Sequence, residues 1–214
     1  MKGIRFTGTA KLKINGNDVA DESGEILFTD YGLSGVAVMQ LSRRYAYAVR
    51  QLGLKKVKAE IALDFMPEYS FGEVLNILEH RIKNLEFDKF ENFMTGILQK
   101  RIYETVLKAS GVAPSDCGGK LKDVKTVKSI VKNIKGFTLR VSGTKGFENA
   151  QLTCGGIPVD EVDSYTMESK LCKGVYIVGE LVDVDGPCGG YNLQWAWSSG
   201  RMAGECAGKS LNAI

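Results

Sequence analysis

The feature that most constrains this chain is a double change of hydrophobic period, from 2 to 3.6 at Ser70 and back to 2 at Phe137. Before the first change, Ile4, Phe6, Gly8, Ala10, Leu12 and Ile14 alternate with Arg5, Thr7, Thr9, Lys11 and Lys13. That is the pattern of a strand with one buried face. Asn15-Gly16 is a hairpin turn signal, and after a polar stretch Glu25–Thr29 supplies a further strand. A half-buried strand so close to Met1 has nothing ahead of it to pair with, which leads to the expectation that the natural protein starts earlier. Leu33-Ser34-Gly35 predicts a helix entry with Ser34 as N-cap, running through Val36, Met39 and Val49 to a stop at Gly53. Val57, Ala59, Ile61 and Leu63 then alternate as another strand, ended by Pro67.

Three helices are expected between the two period changes. Ser70-Phe71-Gly72-Glu73 is a capping box opening a helix that carries Val74, Leu75, Ile77, Leu78 and Ile82. Phe90, Phe93, Met94, Ile97, Leu98, Ile102 and Val106 recur at three and four, ending near Gly111, with Pro114 and Gly118-Gly119 as the connecting loop. The third helix places Val124, Val127, Val131 and Ile134 on one stripe before Gly136. Its lysines (Lys122, Lys125, Lys128, Lys132 and Lys135) have no aromatic or arginine interleaving, so they read as a water-facing side and not as a nucleic-acid patch. Strand pattern returns at Phe137–Val141. The whole is an α+β fold, a β-rich, barrel-like module (1–69, completed by about 137–150) with a helical subdomain (70–136) inserted in it, followed by a C-terminal portion (151–214).

Composition adds bounds. With 44% apolar and 25% charged residues the 214-residue chain has the usage of a globular protein, and 28 Lys and Arg against 25 Asp and Glu leave only +3. That surplus points to neither nucleic acid nor an anionic membrane. No stretch approaches the roughly 18 apolar residues of a membrane span, and Met1–Arg5 does not open a signal peptide, so the chain reads as cytoplasmic. Five scattered cysteines without a Cys-x-x-Cys pair, and one histidine, His80, argue against a disulfide scaffold and against a metal site.

The last seventy residues carry the chemistry. Val175–Val178 is a short apolar run suited to a buried strand, and it ends at Gly179-Glu180, where backbone becomes approachable beside a carboxylate. Asp183, Asp185, Gly186, Gly189 and Gly190 form a glycine-rich loop ahead of Tyr191-Asn192-Leu193-Gln194, and Trp195 to Gly208 reads as a helix. Ala196, Ser199, Gly200, Ala203, Gly204 and Ala207 leave one of its faces almost bare. Strand, glycine loop and close-packed helix together aim a helix N-terminus at an anionic or electron-rich ligand.

Four segments here, Thr153–Gly156, Thr166–Lys170, Gly179–Gly186 and Gly189–Gly200, resemble the C-terminal signature of the aminoacetone-oxidase-like (BaiN-like) FAD-binding oxidoreductases. Gly24–Gly35 resembles the same family's insert, although Asp30 stands where the family often has His and Val36 where it often has Pro. The resemblance implies an insert of β-barrel and helical parts, then a C-terminal strand-loop-helix portion of a Rossmann-type FAD domain. It implies FAD as cofactor, with Gly179 and Glu180 by the ribityl or pyrophosphate region. Gly190, Tyr191, Asn192 and Leu193 would lie by the isoalloxazine, with Asp185, Gly186 and Gly189 in the same loop. A helix N-terminus aimed at the N1 and O2 edge would favour a reduced flavin by ~0.3–2 kcal/mol. The family's nucleotide-binding front is not visible: among 25 glycines no two are separated by a single residue, so no Gly-x-Gly-x-x-Gly exists.

The expectation is therefore a fragment of a flavin-dependent oxidoreductase, inactive alone, working on a small-molecule substrate in the complete protein. The alternatives are a stand-alone interaction or ligand-binding module, or one half of a split flavoprotein whose partner chain carries the Rossmann half. No catalytic residue is assigned. Ala203–Ser210 matches a loose phosphate-loop pattern but sits late in a helix, which rejects it. Cys188 and Cys154 read as small residues, His80 as a helix-end or surface group, and Trp195 and Trp197 as packing on the cofactor side.

Overall fold

A computed structural model describes residues 1–84, 93–113 and 123–211. They form two compact units, Met1–Gly143 and Thr144–Ile214. The fold is mixed α and β, with five antiparallel strands in the first unit and α-helices in both.

In the first unit the sheet order is β3-β2-β1-β4-β5. Strand β1 (Arg5–Ile14) buries the alternate residues Phe6, Gly8, Ala10, Leu12 and Ile14, as the period of 2 requires. Asn15 (φ 52°) and Gly16 (φ 85°) both take positive φ, the backbone of a tight turn whose twist matches its strands. Strand β2 (Asn17–Phe28) is longer than expected, since the polar stretch before Glu25 also pairs with β1. Its outer face is satisfied by polar partners instead of burial: Asp18 pairs with Lys11 (3.3 Å) and Lys13 (3.4 Å), and Ser23 with Thr9 (2.7 Å).

Ser34 is not a helix cap. Leu33–Ser34 form a two-residue strand β3 against Leu27 and Phe28, and helix α1 (Val36–Leu52) starts from Gly35 without a side-chain cap bond. Gly35 is obligatory there: its φ is 104°, and a Cβ would come 2.3 Å from the Glu25 carbonyl oxygen. Strand β4 (Ala59–Asp64) pairs with β1 on one side and β5 (Phe137–Val141) on the other.

Helices α2 (Phe71–Asn84), α3 (Lys100–Ala109) and α4 (Val124–Lys135) lie in the chain between β4 and β5. The capping box is formed, with the Ser70 N–H donating to Glu73 Oε2 (2.7 Å) and the Glu73 N–H to Ser70 Oγ (3.3 Å). Asp123 caps α4 by accepting from Lys125 and Thr126. The expected second helix is shorter than its apolar period: Phe93–Leu98 are turns around Gly96 (φ 82°), yet Phe93 and Met94 are fully buried. Burial without regular backbone mimicked a helical stripe. Phe90, Pro114, Gly118, Gly119 and Lys122 lie outside the described residues, as does Cys117.

The second unit holds one long helix, α5 (Tyr191–Leu211), with three isolated bridges and short 3-10 turns among the described residues. Val175–Val178 is not a ladder strand. Its backbone groups are taken by the preceding turn, Ile177 donating to the Met167 carbonyl (2.9 Å) and Ser169 to that of Val175 (2.7 Å). Val162, Met167, Ile177, Val182 and Ala203 form its small core. Helix α5 begins four residues earlier than its small-residue pattern suggested, so Tyr191, Asn192 and Leu193 make up its first turn.

Candidate functional site

The four sequence segments singled out in the C-terminal unit meet in space. Residues 153–157 run beside residues 180–185: Ile157 donates to the Leu181 carbonyl (2.8 Å), and Asp183 donates back to that of Ile157 (2.9 Å). The approach is close because Gly156 has no side chain, a Cβ there lying 2.6 Å from the Leu181 oxygen. Two side-chain bonds tie the same pair of segments, from the Thr153 N–H to Glu180 Oε1 (3.1 Å) and from the Cys154 thiol to Asp185 Oδ2 (3.1 Å).

Beneath them, Asp163 Oδ1 accepts from the Tyr165 and Thr166 N–H groups (2.9 Å each) and from the Thr166 hydroxyl (3.1 Å). The Tyr165 N–H, first, and then the Thr166 hydroxyl hold this carboxyl below its ordinary range. The turn sets the buried Met167 at φ 62°, an unusual backbone for a non-glycine residue, with its side chain in the small core.

Gly179 ties the preceding segment to helix α5. At φ 61° it donates to Ser199 Oγ (3.0 Å) and accepts from Trp195 Nε1 (3.0 Å), and a Cβ on it would sit 3.6 Å from that of Ala196. Ser199 is buried and donates in turn to the Trp195 carbonyl (2.7 Å). The sequence had marked these two only as a small residue and a packing aromatic. Their spacing of four residues, which puts both on one helix face, was the available signal. Trp197 does not pack as expected: it is 66% exposed.

Asn192 closes the glycine loop. Its Oδ1 accepts from the Gly186 N–H (2.7 Å) and its Nδ2 donates to the Gly186 carbonyl (3.1 Å), a two-point clamp from the first turn of α5. Thus three of the candidate side chains, Glu180, Asp185 and Asn192, are engaged in holding the fold. What stays open is backbone. Gly189 (φ 124°) and Gly190 (φ 94°) have no atom within 4 Å of where a Cβ would be, and Tyr191 and Leu193 are exposed. The Gln194 N–H bonds the Gly190 carbonyl (3.0 Å), so the N–H groups of Tyr191, Asn192 and Leu193 precede the first intrahelical bond and have no partner within the helix.

Residues 30–206 match the HI0933-like protein Rossmann domain. The chain belongs to this family of FAD-binding oxidoreductases. It is 33% identical over 205 residues to the 3-dehydro-bile acid delta(4,6)-reductase of Clostridium scindens, covering 96% of this chain and 49% of that one. It is 33% identical over 174 residues to the ribosomal RNA dihydrouridine synthase of Escherichia coli (81% and 40%). The Haemophilus influenzae protein of the same name is 30% identical over 175 residues (82% and 40%). The chain therefore spans about half the length, or less, of these curated relatives.

For a family member of this kind the open backbone is a fitting donor set. Two glycines with open space in place of a side chain leave room for a flat, bulky group, and first-turn N–H groups would favour negative charge on its edge. Among the described residues no group of three His, Cys, Asp or Glu is placed to hold a metal, and none of the described cysteines forms a disulfide. Residues 203–210 lie within α5, so the phosphate-loop pattern there is helix interior. No described helix is long and apolar enough to cross a membrane.

Proposed function

We propose that this chain supplies the insert and the flavin-facing C-terminal portion of an FAD-dependent oxidoreductase, the nucleotide-binding segment lying outside these residues. The observation that carries the reading is the division of labour in the loop: the side chains of Glu180, Asp185 and Asn192 are taken up by bonds to Thr153, Cys154 and Gly186, while Gly189 and Gly190, just ahead of the first turn of α5, have open space where a side chain would be. Gly190, Tyr191, Asn192 and Leu193 would hold the isoalloxazine, and Gly179 with Glu180 would lie towards the ribityl chain or pyrophosphate. The bound flavin would supply two-electron transfer. The chain's own contribution is electrostatic and steric: the N-terminal turn of α5 favours negative charge by ~0.3–1 kcal/mol, and Tyr191 and Leu193 cover apolar surface. The substrate is a small molecule.

The test is thermal denaturation of the full chain with and without FAD, alone and mixed with the remaining half of a full-length relative. An FAD-dependent rise in melting temperature in the mixture, lost in Asn192→Ala while the ligand-free melting temperature falls only slightly, supports the proposal. No rise under either condition overturns it.

A further inference from the structure

Positive charge is unevenly placed in the first unit. Between Gly35 and Ala59 the sequence holds six cations (Arg43, Arg44, Arg50, Lys55, Lys56 and Lys58) and no Asp or Glu, although the whole chain is only +3. The rest of the chain is therefore net acidic. Cations of the sheet have partners: Arg5 pairs with Glu25, Lys11 and Lys13 with Asp18, and the half-buried Lys135 with Asp64. Among the described residues, Lys55, Lys56, Lys58, Glu60 and Arg140 are in no ion pair. The acid-free run leads into a hollow of about 700 Å³, where the β1–β2 hairpin, the start of β4 and the end of β5 come together. Lys13, Lys58, Glu60 and Arg140 are its charged lining. Strand register accounts for the grouping: Lys13 lies opposite Glu60 and Glu60 opposite Arg140, so one row crosses three strands as cation, carboxylate, cation. Lys58 is fixed beside that row by the hairpin, since the Asn15 N–H donates to its carbonyl (2.8 Å) and its own N–H donates to Asn15 Oδ1 (2.9 Å).

We infer that this hollow binds a phosphate monoester with a small apolar body. Three cations against one carboxylate leave the charged lining with a surplus of two. A phosphate monoester carries about −1.5 to −2 at neutral pH and answers that surplus, whereas a carboxylate or a sulfate ester leaves half of it unmet. Arg140 offers a planar fork for two phosphate oxygens, and Lys58 and Lys13 act as point charges. The organic part of the ester meets Val57, Ala59 and Val141, of which the two valines are half-buried and pack against the core of the unit. Because the hairpin already pins Lys58 beside the strand row, little of the binding energy goes into ordering the frame. The run through Arg50, Lys55 and Lys56 draws anions towards the hollow from solution. All of these residues belong to the first unit, and none is shared with the glycine loop or α5, so the inference stands apart from the flavin reading.

The experiment titrates the full chain, labelled with nitrogen-15, with phenyl phosphate and follows the amide chemical shifts. Phenyl sulfate, of nearly the same shape with one charge fewer, is titrated in parallel. Phenyl phosphate is expected to move the Gly16, Lys58 and Val141 amides along one saturable curve, and phenyl sulfate to bind about tenfold more weakly. Lys58→Gln and Arg140→Gln should each weaken phenyl phosphate by about tenfold and keep the melting temperature of the parent chain, because both side chains are exposed. Arg44→Gln, outside the hollow, should weaken it by no more than about twofold. Three results overturn the inference: no saturable shift at these amides, equal affinity for the two esters, or an affinity for phenyl phosphate that both hollow variants keep. Shifts centred on Arg44, Arg50 and Lys55 and lost in Arg44→Gln overturn it as well, since they assign the anion to the surface of α1.

Discussion

The two units differ in what holds them together. In the first, 28 buried residues among those described, from Ile4 to Ile134, form one continuous apolar cluster. In the second, the core is five residues, and order comes from short polar ties: Asp163 on its turn, Asn192 on Gly186, Ser199 and Trp195 on Gly179. A unit of some seventy residues with so small an interior falls where a single core rarely supplies more than ~3–5 kcal/mol. The contrast teaches that the first unit is stabilised by burial and the second is shaped by hydrogen bonds.

The largest effect that would break this contrast comes from separating the units. Residues 1–143 produced alone should melt cooperatively with intact near-ultraviolet dichroism, and residues 144–214 alone should show neither. A sharp melt of the second piece would refute the comparison. Next is Leu12→Ala, at a position 1% exposed in the sheet's core, expected to cost ~2–5 kcal/mol in denaturant unfolding. Glycine substitutions then separate strained from open positions. Gly35→Ala, forced against the Glu25 oxygen at a positive φ, should destabilise by about 1–3 kcal/mol. Gly204→Ala, in open space on a regular helix, should stabilise by about 0.5–1 kcal/mol. The smallest effect concerns acid. Because hydrogen bonds from Tyr165 and Thr166 lower the Asp163 pKa, its contribution is complete above the ordinary carboxyl value near ~4 and is lost as pH falls through the folded value. Asp163→Asn should therefore flatten the fall in melting temperature below about pH 4 and leave the slope near neutrality unchanged.

What was legible in the sequence follows the same division. Strand β1 and the Ser70–Glu73 box were readable because alternation and capping are local, and burial of Leu12 or Val74 rewards the pattern directly. The polar half of β2 was not, because its partners Lys11, Lys13 and Thr9 lie on another strand. Ser34 looked like a cap until pairing with Leu27 claimed it for the sheet. Val175–Val178 has the composition of a buried strand, yet its described backbone bonds go to Cys172 and the 167–169 turn and not to a strand ladder. In the candidate site the glycines were visible as residues needing positive φ or close approach. The inward use of Asn192 was not, since an Asn in a glycine loop reads equally as ligand contact or as clamp.

That clamp has a kinetic consequence. With Gly186 gripped at both its N–H and its carbonyl, the turn through Gly189 and Gly190 is already in shape before anything arrives. An incoming molecule then bears nearly all the loss of freedom itself, so its observed association rate should climb in proportion to concentration, without a slower rearrangement trailing behind.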